Sequence, residues 1–136
     1  MVWIFLVFLA NAVALYFDIY HQYPWLDVPM HFFGGYTVAL FGIALYGWIG
    51  ERVTIRSTSN TQSKMATLLL EGLVVIGFTL LISVAWEIWE FFMDQFATAF
   101  IDRFGVTQPG IADTMNDLFN DGVGAVTAWL LWRKRP

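Results

Sequence analysis

Long apolar runs separated by short polar stretches dominate the chain. No charged residue precedes Asp18, and a second uncharged run of nineteen residues extends from Phe32 to Gly50. A third run begins near Ala66, and a fourth precedes the basic residues at the C-terminus. A membrane-spanning helix needs about 20 predominantly apolar residues. We therefore predict an all-α fold, a four-transmembrane-helix bundle in one domain over 1–136, with spans of about 2–20, 30–50, 66–97 and 113–132.

Polar and turn-forming stretches separate the predicted spans, and we expect loops at 21–29, 51–65 and 98–112. The third span is longer than a hydrocarbon core of about 30 Å requires, so it must tilt, kink or protrude. The first apolar run also resembles a signal peptide, with Ala12-Val13-Ala14 as the cleavage site. A signal peptide has a basic segment before its apolar core, and none is present here, which favours a retained first helix.

The basic residues set the expected orientation. Six of the seven Lys and Arg residues lie in 51–65 or after the fourth span, and only Arg103 lies elsewhere. By the positive-inside rule, both termini and the loop 51–65 are cytoplasmic, whereas 21–29 and 98–112 are outer loops. The chain is thus expected to be a multi-pass protein of the inner (plasma) membrane.

Composition narrows the possible classes further. The chain is 58% hydrophobic and 13% charged, whereas soluble domains carry about 25% charged residues. The absence of cysteine excludes disulfides and thiolate metal sites. A net charge of −4 with few basic residues argues against nucleic acid as a partner. Membrane lipids are the expected partners, together with a membrane protein or a second copy of the chain.

Acidic residues from distant parts of the sequence fall at a similar predicted depth, in the outer half of the bilayer. Spacings of three or four residues place each group on one helix face. The candidate site residues are Asp27, His31, Glu87, Glu90, Asp113 and Asp117, with Asp94 and Asp121 in second rank. Glu71 lies near the inner interface and does not belong to this group.

The energetic cost of these acids favours a site over an ordinary structural role. An acid at the centre of a membrane helix costs roughly 2.5 to 3.5 kcal/mol on insertion scales. Asp27 and Asp113 alone are explained as helix caps, and His31 alone as a hydrogen-bonded interior residue. Glu87, Glu90, Asp117 and Asp121 lie inside helices, where caps do not occur. Protonated carboxyls that link helices by hydrogen bonds are the remaining structural explanation.

Carboxylates with one imidazole indicate a divalent cation as the possible cofactor. Carboxylate ligands suit Mg²⁺, Mn²⁺ or Ca²⁺, and His31 together with carboxylates could also bind Zn²⁺. A proton or cation pathway is disfavoured for a monomer, because Glu71 is the only acid in the inner half of the predicted spans. Three other functions remain open at this point. The first is a buried site for a divalent cation or a polar lipid headgroup in a cell-envelope role. The second is a metal-dependent membrane enzyme that modifies lipids. The third is a structural or partner-binding membrane subunit, and the sequence alone does not decide whether catalysis occurs.

Several motifs also resemble known membrane families. These are Asp27-x-x-x-His31-Phe32-x-x-Gly35, Trp86-Glu87-x-x-Glu90, and Asp113-Thr114-x-x-Asp117 followed by Gly124-Ala125. Together they resemble the YjdF-type family of uncharacterised bacterial and archaeal inner-membrane proteins. The similarity to the VanZ-like family, which is linked to glycopeptide-antibiotic resistance, is more distant, because Asp121 stands where that family has Asn. The resemblance covers about residues 27 to 125 and implies a four-span membrane protein.

Overall fold

Helices account for all of the regular structure in the described part of the chain. The computed structural model describes residues 2–52, 61–96, 106–107 and 109–133. Within these residues five α-helices occur in chain order, with a short 3-10 helix at Pro24–Leu26 between the second and third. Their bounds are α1 Val2–Tyr16, α2 Ile19–Gln22, α3 Asp27–Arg52, α4 Thr61–Phe96 and α5 Ile111–Trp132.

A sharp reversal separates α1 from α2. Asp18 has a left-handed backbone with φ of 55° and is the one non-glycine residue with positive φ in the described segments. Asp is among the few residues that adopt this conformation readily, because its short side chain can bond locally. The Tyr20 hydroxyl then donates a 2.5 Å hydrogen bond to Asn11 Oδ1, which ties α2 back onto α1. The chain thereby enters α3 from a short, folded connection.

Helices α3 and α5 pack very closely, and glycines make this possible. A Cβ atom placed on Gly35 would collide with the backbone of Asp121, and one placed on Gly124 would collide with the backbone of Phe32. The buried core beside this contact is also small, with Ala39 from α3 and Ala125 and Ala128 from α5. Small residues let helix backbones approach in this way. The close contact fixes which faces of α3 and α5 meet.

Helix α4 completes the core, and α1 lies at its edge. Val75 and Thr79 of α4 are fully buried against the α3–α5 pair. Gly72 of α4 provides space for the Trp129 ring, which lies 2.8 Å from the position a Cβ atom would take. Helix α1 packs mainly along α3 and buries only Ala14. The first helix is therefore the most loosely attached of the long elements.

Two of the helices are long and apolar enough to cross a membrane. These segments are Pro24–Gly50 and Lys64–Phe96, whereas Val2–Tyr16 is a shorter apolar helix. Large hydrophobic side chains cover much of the outer surface, as expected where lipid rather than water surrounds the protein. The all-helical prediction agrees with the structure, but the number of spans and the orientation of the termini stay predictions.

The helix bounds differ from the predicted spans at their ends. Helix α1 stops at Tyr16 because Asp18 reverses the chain, although the first span was expected to reach residue 20. Helix α3 begins at Asp27 and ends at Arg52, and α4 already begins at Thr61. Both ends of the predicted loop 51–65 are therefore helical. Residues 53–60 and 97–105 lie outside the described residues.

Candidate functional site

His31 is the centre of the acidic cluster. It lies one helical turn after Asp27 on α3, where the chain places both side chains on one face. Its Nε2 atom is 3.6 Å from Asp27 Oδ1 and 3.8 Å from Asp117 Oδ1, and its Nδ1 atom is 3.2 Å from Asp121 Oδ2. The imidazole is therefore surrounded by three carboxylates, of which two come from α5.

The two α5 carboxylates are buried. Asp117 is 1% exposed and Asp121 is 6% exposed, and they are four residues apart on the face turned to α3. Asp117 Oδ1 has no hydrogen-bond partner among the described residues. A buried carboxylate oxygen without a donor costs roughly 1 to 3 kcal/mol or more. This oxygen lies 3.8 Å from His31 Nε2, and the Asp117 side chain also interacts with that of Asp27.

Asp121 orients the imidazole ring. In the tautomer that carries a proton on Nδ1, His31 donates to Asp121 Oδ2 at 3.2 Å, and Nε2 then faces Asp27 and Asp117. Metal-binding histidines commonly donate their second ring N–H to a carboxylate in this way, which fixes the tautomer and raises the basicity of the ligand nitrogen. Asp121 is therefore placed to orient the imidazole, and Nε2 is the ring nitrogen that faces Asp27 and Asp117.

The three remaining groups have the geometry of a metal site. Asp27, His31 and Asp117 each offer one ligand atom, and these atoms lie within 4.8 Å of one another. Ligand atoms about 2.0 to 2.2 Å from a tetrahedral metal ion lie about 3.3 to 3.6 Å apart. The separations of 3.6 and 3.8 Å from Nε2 lie at or just above the upper end of this range. A small inward movement of the two carboxylates would bring the three ligand atoms within reach of one ion.

A cavity of about 430 Å³ adjoins this cluster. Asp27, His31 and Asp121 line part of its wall, and apolar side chains from α1, α3 and α4 line another part. Cavities of about 300 to 1,000 Å³ that combine apolar walls with a few polar groups are typical of ligand-binding sites. A bound ion at the cluster would thus have an open side facing a space large enough for a small molecule.

The other predicted acids lie around the same region in different roles. Glu87 is 4% exposed and buried in α4. Glu90 lines the cavity and accepts a 2.9 Å hydrogen bond from the Trp86 indole. Asp113, in the first turn of α5, also lines the cavity and interacts electrostatically with Asp27. These three acids are not part of the three-residue metal group.

Asp94 lies apart from the cluster and stabilises a loop. Its carboxylate accepts hydrogen bonds from the Thr107 backbone N–H at 3.1 and 3.0 Å and from the Thr107 hydroxyl at 3.0 Å. The two residues thus tie the end of α4 to the segment that leads into α5. Asp94 was placed in the acidic group by its spacing from Glu90, but its partner is a backbone turn.

Three residues of the region could not be identified from the sequence pattern. Trp86 lines the cavity, and its indole N–H donates to Glu90. Asn11 and Tyr20 form one wall of the cavity from α1 and α2. Asn11 was the one available signal, because an amide inside an otherwise apolar membrane segment needs a partner.

The chain belongs to a family of membrane proteins. Residues 1–135 match the family described as "Predicted membrane protein (DUF2238)". No curated protein and no solved structure matches the chain. The match agrees with the membrane class that the sequence predicts, over nearly the whole chain.

Proposed function

We propose that this membrane protein binds a divalent transition-metal ion through Asp27, His31 and Asp117, with Asp121 orienting the imidazole. The single observation that carries the proposal is the buried Asp117 Oδ1, which lacks a hydrogen-bond partner among the described residues and lies 3.8 Å from His31 Nε2. Two carboxylates and one imidazole suit Zn²⁺ or Mn²⁺ better than Mg²⁺ or Ca²⁺, which take oxygen ligands almost alone.

Three protein ligands with one open side are typical of sites that act on a ligand. Structural zinc sites have four protein ligands, whereas catalytic sites keep a position for water or substrate. Here the open side faces the 430 Å³ cavity. An ion in this position would polarise a phosphoryl or carbonyl oxygen, or lower the pKa of a bound water. A metal-dependent enzyme that modifies lipids is therefore the reaction class that this arrangement supports.

The membrane setting is part of the proposal. We place the site in the outer half of the bilayer of a four-span, multi-pass inner-membrane protein with cytoplasmic termini, because the basic residues lie mainly in 51–65 and after α5. A role in the cell envelope follows from that depth. The resemblances to the YjdF-type and VanZ-like families are compatible with this setting.

Elemental analysis of the purified protein tests the proposal. Metal-stripped wild-type protein, incubated with Zn²⁺ or Mn²⁺ and desalted, is expected to retain close to one equivalent of metal. The Asp117→Asn variant keeps the side-chain shape but removes a charged ligand, so it should retain less than about a tenth of that amount. Asp94→Asn is the matched control, because Asp94 bonds to Thr107 and should not affect metal content.

Two outcomes would overturn the proposal. Wild-type protein that retains no metal would leave the carboxyls as hydrogen-bonding links between helices. Equal metal content in the Asp117→Asn and Asp94→Asn variants, both near the wild-type value, would show that the ion binds elsewhere.

A further inference from the structure

The cavity beside the cluster has two chemically different walls. Its apolar wall includes Val7 and Phe8 of α1, Val38 of α3 and Ile82 of α4. Its polar wall carries a set of acidic groups, namely Asp27, Glu90, Asp113 and Asp121. A site for a hydrated ion alone has no use for an apolar wall of this extent. The combination suits an amphiphile, with its headgroup at the acids and its chain along the apolar side chains.

The cavity also reaches the outer surface between α1 and α4. Phe8 lines the cavity and is nevertheless 55% exposed. Its ring contacts that of Trp86 edge to face, with centroids 5.6 Å apart. Helix α1 packs mainly along α3, and this ring pair is a contact between α1 and α4 at the edge of the cavity. A chain that extends from the cavity past these rings would enter the apolar surroundings of the protein.

The charge of the wall selects the headgroup. None of the described residues that line the cavity is Lys or Arg, and the acids exceed the two histidines. Even a divalent ion at Asp27, His31 and Asp117 leaves Glu90 and Asp113 outside its ligand set. A cationic headgroup complements these carboxylates, and Trp86 and Tyr20 also line the cavity, where aromatic rings favour an ammonium group.

We propose that the cavity binds an aminophospholipid, with its ammonium group at Glu90 and Asp113. Its phosphate would face the ion held by Asp27, His31 and Asp117. This inference deepens the proposed function, on which the placing of the phosphate rests, and names the lipid class that the site takes. The cavity accommodates the headgroup and the first part of one chain, and the rest of the lipid stays in the bilayer.

Competitive lipid retention tests this inference. Delipidated protein loaded with Zn²⁺ is incubated with equal amounts of dioleoyl phosphatidylethanolamine and dioleoyl phosphatidylglycerol. It is then separated from free lipid, and both lipids and metal are quantified in the same sample. We expect about one phosphatidylethanolamine per chain and a preference of about tenfold, which corresponds to about 1.4 kcal/mol. Glu90→Gln should reduce that preference to less than about threefold.

Two neighbouring residues of α4 provide a matched pair of variants. Ile82 lines the cavity, whereas Leu81 does not and is 66% exposed. Ile82→Trp should fill the space and reduce retained phosphatidylethanolamine at least fivefold, while Leu81→Trp should leave it unchanged. Retained metal in both variants shows that they fold.

The possible results separate the two proposals. Equal retention of the two lipids by metal-loaded wild-type protein overturns the lipid inference alone. Selective retention of phosphatidylethanolamine without bound metal supports the ammonium site and overturns the metal site. Unchanged lipid retention in Ile82→Trp overturns the assignment of the lipid to this cavity.

Discussion

Asp121 offers a graded test of how the imidazole is oriented. Its carboxylate is 3.2 Å from His31 Nδ1, with the side chain of Asp121 8% exposed and that of His31 11% exposed. The pair is therefore shielded from water, and the hydrogen bond between them is stronger than a surface contact. Removing a carboxylate that orients a metal-binding histidine typically costs 10- to 100-fold in metal affinity, or about 1.4 to 2.8 kcal/mol.

Two substitutions of Asp121 are expected to fall at opposite ends of this 10- to 100-fold range of metal affinity. Asp121→Asn keeps an oxygen that can accept from Nδ1–H, so we expect Zn²⁺ affinity to fall about tenfold. Asp121→Ala removes the acceptor and should approach a hundredfold loss. The stoichiometry should stay at one ion per chain in both variants, since Asp27, His31 and Asp117 are unchanged. Calorimetric titration of metal-stripped protein with Zn²⁺ measures affinity and stoichiometry together.

A second Asp–His pair in the same chain provides the control. Asp18 Oδ1 lies 2.9 Å from His21 Nδ1, but both side chains are more than half exposed. An exposed pair of this kind contributes little, and Asp18→Asn should leave Zn²⁺ affinity unchanged. Asp121→Asn that binds Zn²⁺ as tightly as wild type would show that Asp121 is irrelevant to the ion. A variant that loses the ion entirely would show that Asp121 is itself a ligand, and either result contradicts an orienting role.

Two further predictions concern the packing of α3 against α5 and the hydrogen bond between Asp94 and Thr107. Gly124→Ala places a methyl group against the Phe32 backbone and should destabilise the protein by about 1 to 3 kcal/mol in thermal unfolding. Gly77→Ala is the control, because nothing lies within 4 Å of its added Cβ atom, and it should be neutral or slightly stabilising. Equal effects of the two substitutions would refute the close α3–α5 contact. Asp94→Ala removes the acceptor of the Thr107 N–H. It should lower the hydrogen-exchange protection of that amide about tenfold and leave metal binding intact. Unchanged protection would contradict the role of Asp94 as the acceptor of this hydrogen bond.

The sequence identified the helices and their polar faces because both follow from local periodicity. Apolar runs placed the long helices, and the four-residue spacing placed Asp27 and His31 on one face of α3, as the structure has them. Asp117 and Asp121 were likewise expected on one face of α5. Periodicity fixes where a side chain points relative to its own helix axis, and the structure agrees at this level.

The sequence could not rank the acids, because ranking depends on how helices are rotated against each other. Asp121 was in second rank, yet it makes the shortest contact to His31. The rotation that brings it there depends on Gly35, where a Cβ atom would collide with the Asp121 backbone. Asp94 and Asp121 looked equivalent by spacing, but Asp94 bonds to a residue thirteen positions later. Contacts of this kind are set by tertiary packing.

X-ray absorption spectroscopy of the zinc-loaded protein tests the central claim most directly, because it identifies the atoms that hold the ion. The account predicts one imidazole nitrogen at about 2.0 to 2.1 Å and oxygen ligands at about 2.0 to 2.2 Å, with the imidazole scattering lost in His31→Gln. A zinc shell made only of oxygen, or an imidazole signal that persists in His31→Gln, would contradict it.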